Sequence, residues 1–212
     1  MKIVFMGPQG AGKGTIAEMI KDKIGVPHIS TGDMFREAIK EHTKLGKTAK
    51  KLIDDGKFVP DEITIKIVQE RLVKPDCENG FLLDGFPRNL HQAEQLETFS
   101  SVDRAVLLDI TDDLTVYRLS ARRVCKNCAA TYNVNPDGFP KPNKDGVCDS
   151  CGGVLVQRDD DKEDAIKERL RTYHNQTEPI IKFYAQKGVL REVDASRKVD
   201  MIVEDTLKAL KQ

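Results

Sequence analysis

A glycine-rich segment near the amino terminus has the residue types and the spacing that bind a di- or triphosphate. Residues 7–15 read GPQGAGKGT. Glycines let backbone N–H groups turn towards an anion, a following helix adds partial positive charge, and Lys13 adds a full charge. The common motif has Ser or Thr directly after the lysine, whereas Gly14 precedes Thr15 here, so direct ligation of Mg²⁺ by Thr15 is not expected. An ordinary glycine-rich turn is the alternative interpretation.

A second segment places an acid and a base directly after an apolar run. Phe81-Leu82-Leu83 is followed by DGFPR at residues 84–88. Asp84 therefore occupies the position from which P-loop enzymes hold Mg²⁺ or its water shell, although a solvated aspartate at a strand end is the alternative. Phosphoryl transfer needs in-line positioning and positive charge rather than covalent chemistry. Because arginine binds phosphate oxygens with two parallel hydrogen bonds, we expect arginines such as Arg88 to supply that charge.

Four of the five cysteines have the spacing of a metal site. Cys125-x₂-Cys128 and Cys148-x₂-Cys151 are separated by nineteen residues, as in four-thiolate zinc sites built on two knuckles. Four thiolates leave no open position on the metal, so the expected role is structural. Two disulfides, or iron in the same tetrahedron, are the alternatives. Cys77 stands apart and is interpreted as a small, partly buried side chain.

The elements that would position these residues alternate between strand and helix. Apolar runs at Ile3–Met6, Phe81–Leu83, Ala105–Leu108 and Val189–Leu190 predict buried parallel strands. Apolar residues three and four apart predict amphipathic helices over Gly14–Ile24, Asp61–Val73, Leu90–Phe99 and Asp112–Arg122. Strand and helix in turn indicate an α/β fold with a parallel sheet flanked by helices and right-handed crossovers.

Two stretches interrupt this alternation. Residues 31–73 hold three helical patterns with no strand between them, one after Thr31, one over Thr43–Asp55 and one after Asp61. Residues 125–151 are rich in Asn, Pro, Gly and Asp and contain the four spaced cysteines, which indicates a small unit that needs external stabilisation. We therefore predict a core of residues 1–29, 74–121 and 162–212, a helical insert at 30–73, and a small cysteine-bearing insert at 122–161.

Composition excludes several classes of protein. The 212 residues contain 34 Lys+Arg and 34 Asp+Glu, a net charge of zero, with 39% hydrophobic residues. A nucleic-acid-binding protein usually carries a positive excess, and a membrane protein carries long apolar runs. The apolar run at Ile3–Met6 is too short for a signal peptide, so we expect a cytoplasmic protein that binds neither nucleic acid nor membranes.

Taken together, these motifs resemble the adenylate kinases. The phosphate loop, TGDMFR at 31–36, DGFPR with Gln92, and RDDD at 158–161 with Arg169 follow that family's order and spacing across nearly the whole chain. The resemblance implies a P-loop α/β core with a helical insert that binds the nucleoside monophosphate and a lid insert of the zinc-bearing kind. It also implies a monomer that reversibly transfers the terminal phosphoryl group of Mg²⁺-bound ATP to AMP, giving two ADP.

The resemblance also implies a role for individual residues. The expected catalytic residues are Lys13, Asp84, Arg88, Arg122, Arg158 and Arg169. The expected ATP contacts are Gly10, Ala11, Gly12, Lys13, Gly14, Thr15, Arg118, Arg122, Thr131, Tyr132 and Arg197, the last through its backbone. The expected AMP contacts are Thr31, Arg36, Lys57, Phe58, Val59, Gly85, Phe86, Pro87, Arg88, Gln92, Arg158 and Arg169. The metal ligands would be Cys125, Cys128, Cys148 and Cys151.

Two of these expectations have a direct physical basis. Arg118 and Arg122 are four residues apart on a predicted helix, so they should share one face of it. The Gln92 amide can donate to and accept from an adenine edge at once, which would select adenine. Taken without the motifs, Thr31 and Gln92 would instead be interpreted as a helix cap or surface polar residues.

Two other functions remain open at this point. The same machinery could phosphorylate UMP, CMP or GMP instead of AMP. A zinc ribbon could also bind nucleic acid, but the positive charges between the two knuckles are only Lys141 and Lys144, offset by Asp137 and Asp145. That balance disfavours binding to a phosphate backbone.

Overall fold

The computed structural model describes residues 1–54 and 59–212. In chain order, the helices and strands are β1 (Lys2–Met6), α1 (Lys13–Ile24), β2 (His28–Ser30), α2 (Thr31–Lys40), α3 (Lys44–Asp54), α4 (Asp61–Leu72), β3 (Phe81–Asp84), α5 (Leu90–Phe99), β4 (Arg104–Asp109), α6 (Asp112–Ser120), β5 (Arg122–Cys125), β6 (Thr131–Asn133), β7 (Leu155–Val156), α7 (Glu163–Thr172), α8 (Pro179–Gln186), β8 (Leu190–Asp194) and α9 (Val199–Lys211).

The main sheet is parallel and covered by helices on both faces, as the alternation of strands and helices predicts. Its five strands lie in the order β2-β3-β1-β4-β8. Alternate residues of β1 point to opposite faces: Ile3 and Phe5 pack with residues of α1 and α9, whereas Val4 and Met6 pack with residues of α4, α5 and α8. The carboxyl ends of β1 and β3 therefore meet at one edge, where Phe5 pairs with Asp84.

The predicted helical insert has an apolar cluster of its own. Phe35 on α2, Ala49 on α3 and Val59 before α4 are buried together. Ser30 caps the start of α2, because its hydroxyl accepts a hydrogen bond from the Asp33 N–H, at 3.3 Å. The division of the chain into a core and two inserts stays a prediction, and the predicted contacts Lys57 and Phe58 lie outside the described residues.

The cysteine-rich segment forms a small antiparallel sheet in the order β6-β5-β7. Its buried side chains are Cys125, Tyr132, Cys148 and Leu155. So small a cluster cannot stabilise a sheet of short strands by apolar burial alone. A cross-link between the loops of this sheet is therefore needed to stabilise it.

The structure corrects one predicted helix and adds one strand, β2, to the main sheet. Helix α6 ends at Ser120, and Arg122 begins β5, so Arg118 and Arg122 do not share a helix face. The helical spacing of apolar residues gave a wrong prediction at this position, because Arg122 pairs with Asn133 across the small sheet. That pairing gives Arg122 an extended conformation instead of a helical one. Strand β2 was missed because three residues are too short to show alternation; the strand is held by its pairing with β3, Ile29 opposite Leu83.

The described helices include none with the length and apolar character needed to cross a lipid bilayer.

Candidate active site

The phosphate loop joins the end of β1 to the start of α1. Gly7, Gly10 and Gly12 have φ of 128°, 85° and 87°, a backbone region that side chains disfavour. Lys13 folds back over the loop, and its Nζ donates to the carbonyl oxygens of Gly7 and Pro8, each at 2.7 Å. Burial and nearby arginines outweigh the attraction of Asp84 and lower the pKa of Lys13 to about 8. A bound polyphosphate would relieve this unfavourable environment.

Asp84 lies at the end of β3, close to Lys13. Burial alone would raise its pKa, but the neighbouring His28 and Lys13 hold the pKa below its ordinary value, so the carboxylate is charged. His28 Nε2 lies 3.8 Å from Asp84 Oδ2. A Cβ at residue 14 would lie 3.5 Å from that same oxygen, so Gly14 leaves space beside it. A charged carboxylate next to such a space fits Mg²⁺ or its water shell.

Arg88 is held at both its backbone and its side chain. Its Nε donates to the Gly85 carbonyl at 2.7 Å, and the Thr31 hydroxyl donates to the same oxygen at 2.8 Å. The Thr177 hydroxyl, in a π-helical turn after α7, donates to the Arg88 carbonyl at 2.7 Å. Burial and then the charge of Arg169 lower the pKa of Arg88 to about 10. This guanidinium is therefore fixed, charged at neutral pH and suited to binding an anion.

A cleft brings most of the predicted monophosphate contacts together. The predicted residues that line it are Thr31, Arg36, Val59, Gly85, Arg88, Gln92 and Arg169. Phe35 and Ile53 line it as well, which gives it an apolar wall beside its cationic groups. Such a combination suits a ligand that has a flat apolar part and an anionic part.

Two aspartates before α7 organise the arginines of this cleft. Asp161 has a fully buried side chain, and both of its oxygens accept hydrogen bonds from Arg122, at 2.5 and 2.7 Å. Arg169 Nη1 lies 3.2 Å from Asp161 Oδ1 and 3.1 Å from Asp160 Oδ2. Burial lowers the pKa of Arg122, but attraction by Asp161 outweighs this effect and raises the pKa above its ordinary value. The two acids thus hold two guanidinium groups close together.

Arg158 and Arg36 add to the same positive region. Burial and then the charges of Arg122 and Arg36 lower the pKa of Arg158. Its Nε is buried with no hydrogen-bond partner among the described residues, which leaves one donor of this guanidinium unsatisfied. Arg36 pairs with Asp33 on its own helix, at 2.5 Å.

Other predicted contacts lie outside this cleft. Arg118 is half-buried and reaches back to the Gly10 carbonyl at 3.4 Å, next to the phosphate loop. Tyr132 is buried in the small sheet, where its hydroxyl lies 3.5 Å from Cys148 Sγ. Any nucleotide contact at Tyr132 must therefore involve its backbone. Thr131 precedes Tyr132 on the same strand. Phe86 is fully buried in the core of the main sheet. Arg197 lies before α9 and pairs with Asp205 at 2.5 Å.

The four spaced cysteines converge as a metal site requires. Their Sγ atoms all lie within 4.8 Å of one another, and three pairs are separated by 3.4 to 3.5 Å. A tetrahedron of thiolates around zinc has edges of about 3.8 Å, whereas a disulfide joins sulfurs at about 2.05 Å; all five cysteines are free. A hydrogen bond with the Tyr132 hydroxyl, together with backbone N–H groups of Ser150 and Cys151, lowers the pKa of Cys148 to about 6. The donor set and its geometry fit a structural zinc ion.

Some groups in or near the cleft were not assigned a role from the sequence. Asp160 and Asp161 belong to the RDDD motif, and the signal for their role was a run of acids placed just before Arg169. Gln9 lines the cleft, and its Oε1 is buried without a partner among the described residues. Asp61 was missed because only the fold brings the start of α4 against α5, where it contacts Gln92.

Comparison with known proteins gives one consistent family. The family described as adenylate kinase matches residues 5–189 of the chain. The chain is similar to the adenylate kinase of Clostridium perfringens strain SM101, with 47% identity over 99% of this chain and 98% of that protein. It is also similar to the adenylate kinases of Archaeoglobus fulgidus, with 46% identity over 100% of both chains, and Moorella thermoacetica, with 49% identity over 96% and 94%.

The buried position of Asp161 predicts a large effect on stability. Replacing Asp161 with Asn should lower the free energy of unfolding by about 3 kcal/mol, because Arg122 and Arg169 would lose a buried counter-charge. Asp159→Asn is the matched control; it removes an exposed carboxylate that pairs with Lys162 at 2.8 Å and should cost less than about 1 kcal/mol. Urea unfolding of the three proteins measures both values, and equal losses would contradict the assignment.

Proposed function

The chain belongs to the adenylate kinase family, and we propose that the cleft between the phosphate loop, DGFPR and the paired aspartates is where it performs that family's reaction. The enzyme is a phosphotransferase with a phosphate group as acceptor: it transfers the terminal phosphoryl group of ATP to AMP and forms two ADP. The observation that carries the placement is the gathering of Lys13, Asp84, Arg88 and Arg169 in one buried region, where their charges shift one another's pKa values.

The proposed roles follow from charge and position. The loop N–H groups and Lys13 bind the phosphates of ATP. Arg36 and Arg88 hold the phosphate of AMP, and Arg122, Arg158 and Arg169 surround the phosphoryl group that moves between the nucleotides. The attacking oxygen belongs to a phosphate and is already anionic, so the reaction needs no general base. Catalysis then consists of alignment and of positive charge that stabilises the transition state.

The remaining predicted contacts belong to the two nucleotides. We assign Gly10, Ala11, Gly12, Gly14, Thr15, Arg118, Thr131, Tyr132 and Arg197 to ATP, and Thr31, Val59, Gly85, Phe86, Pro87 and Gln92 to AMP. Given the burial of Tyr132 and Phe86, these two would contribute through their backbones.

The proposed enzyme binds two metal ions, one in the cleft with ATP and one in the small sheet. Mg²⁺ bound with ATP would neutralise phosphate charge, and Asp84 would hold the ion or its water shell. Zn²⁺ bound by Cys125, Cys128, Cys148 and Cys151 would stabilise the small sheet and take no part in the chemistry. Iron in the same tetrahedron remains the alternative.

The two inserts are proposed to close over the nucleotides. Adenylate kinases are themselves a standard example of lid closure, and closure excludes water, which would otherwise hydrolyse ATP. The insert at 30–73 would cover AMP and the insert at 122–161 would cover ATP, with the remaining residues as the core.

We further propose that the enzyme is a monomer in the cytoplasm and that it binds neither nucleic acid nor membranes. The described residues of one chain supply every group to which we assign a role. Metal-binding thiolates also suit a reducing compartment.

The choice of monophosphate is tested by a direct assay. ATP with Mg²⁺ is supplied together with AMP, UMP, CMP or GMP, and formation of each diphosphate is followed. We expect AMP to give the highest kcat/KM. A higher value with UMP, CMP or GMP would identify a different nucleoside monophosphate kinase, and DNA binding without any kinase activity would support a zinc-ribbon binding protein instead.

Removing either fixed cation should lower turnover strongly without unfolding the protein. Lys13→Met and Arg88→Met should each lower kcat by about a hundredfold or more, because charge that stabilises the transition state is lost. Matched controls are Lys23→Met on the exposed part of α1 and Arg171→Met on α7, whose side chain is 71% exposed. Near-normal turnover in either site variant, with its melting temperature unchanged, would contradict the assignment.

Removing the metal should affect stability before it affects the chemistry. After chelation, verified by metal analysis, we expect the melting temperature to fall by about 5 °C or more, with little change in kcat well below that temperature. Cys128→Ser should lose the metal and behave in the same way, whereas Cys77→Ser, outside the cluster, should keep it. An unchanged melting curve after verified loss of metal would refute a structural role.

A further inference from the structure

The Gln92 amide, which lines the cleft, is held at both ends by partners that fix its orientation. Its Nε2 donates to Asp61 Oδ1 at 2.6 Å, and its Oε1 accepts from the Arg88 N–H at 2.8 Å. A carboxylate can only accept and a backbone N–H can only donate. Turning the amide over would place two acceptors together at one end and two donors together at the other, so Gln92, which is 1% exposed, has a single allowed orientation.

The carboxylate of Asp61 is itself fixed by the start of α5. Asn89 Nδ2 donates to both Asp61 oxygens, at 2.9 and 3.0 Å. Asn89 cannot turn over, because its Oδ1 caps α5 by accepting from the Gln92 N–H at 2.8 Å. Asp61 is also the first residue of α4, where the helix dipole favours a negative charge. The orientation of the Gln92 amide is therefore set by the fold.

Each end of this amide keeps unused hydrogen-bonding capacity. One N–H and one lone pair of Gln92 remain after the bonds to Asp61 and Arg88, so a ligand meets a donor and an acceptor in a fixed order. An adenine edge offers a 6-amino donor next to the N1 acceptor. A 6-oxopurine offers the reverse, an O6 acceptor next to an N1–H donor. An amide free to turn over could pair with either base, whereas a fixed one pairs with only one.

We propose that Asp61 is a positioning residue that sets base specificity: it locks the Gln92 amide in the orientation that pairs with a 6-aminopurine and thereby rejects 6-oxopurine monophosphates. Asp61 does not line the cleft and acts through Gln92. The inference rests on the proposed function, because it requires the base of the monophosphate to lie against this amide.

The test compares AMP with IMP, which carries an oxo group and an N1 proton in place of the 6-amino group and lacks the 2-amino group of GMP. In Asp61→Asn the new side chain can present either an oxygen or an NH₂ group to Gln92, so one of the two constraints on the amide is lost and only the Arg88 N–H still opposes turning it over. We expect the ratio of kcat/KM for AMP to that for IMP to fall by about tenfold or more. The change should be in KM for the monophosphate, with kcat for AMP less affected.

Two further variants separate positioning from a structural role. Glu62→Gln removes the neighbouring exposed carboxylate of α4 and should leave the AMP-to-IMP ratio unchanged. Asn89→Ser keeps a helix cap but removes the amide that holds Asp61, so it should lower the ratio by less than Asp61→Asn does; it also provides a test if Asp61→Asn fails to fold. Melting temperatures of all variants show whether each is folded at the assay temperature.

The possible outcomes distinguish this inference from the proposed function. If folded Asp61→Asn loses activity with AMP and IMP equally, or if the ratio is unchanged in both Asp61→Asn and Asn89→Ser, Asp61 is only structural and the inference is wrong. A wild-type enzyme that phosphorylates another monophosphate in preference to AMP would instead overturn the proposed function. A wild-type preference for AMP that is lost specifically in the Asp61 variant supports both.

Discussion

Repulsion among like charges held out of water is the constraint on which the structure of this site depends. Burial and the charges of neighbouring arginines lower the pKa values of Lys13, Arg88, Arg158 and Arg169. A cluster of buried cations is stable only when acidic side chains neutralise part of its charge. The equal totals of 34 basic and 34 acidic residues therefore conceal an uneven distribution, in which the cations of one cleft exceed the carboxylates among them.

The fold supplies those acids from separate elements. Asp84 ends β3, beside the strand that leads into the phosphate loop, and Asp160 and Asp161 lie in a short turn immediately before α7. Each acid is therefore held by an element that apolar packing stabilises. For Asp84 that element is the buried sheet, and for Asp160 and Asp161 it is α7, which packs against α6. These fixed carboxylates neutralise only part of the positive charge of the arginines, so an anionic ligand could neutralise the rest.

The sequence predicted the parts of this arrangement that depend on short-range patterns. Glycine spacing, the apolar run before Asp84 and the paired cysteines each identify a local geometry, and the structure has that geometry. What could not be predicted depends on contacts between distant segments: Arg122 follows the strand pairing with Asn133 rather than the helical period, and Ile29 lies in a strand only because Leu83 is beside it. Asp61 belongs to the same class, since nothing near it in the chain indicates that it meets Gln92.

In the proposed site, the phosphates and the base of a nucleotide would be recognised by different physical means. Arginines and Lys13 attract any nucleotide, because every nucleotide carries phosphate, so they cannot tell one base from another. Discrimination between bases requires neutral groups whose donors and acceptors have a fixed order, and a glutamine amide has such an order only when it cannot turn over. The contacts among Asn89, Asp61 and Gln92 provide such a constraint by linking the start of α4 to the start of α5. In the proposed site, base selection would therefore depend on the packing of these two helices and not on one side chain.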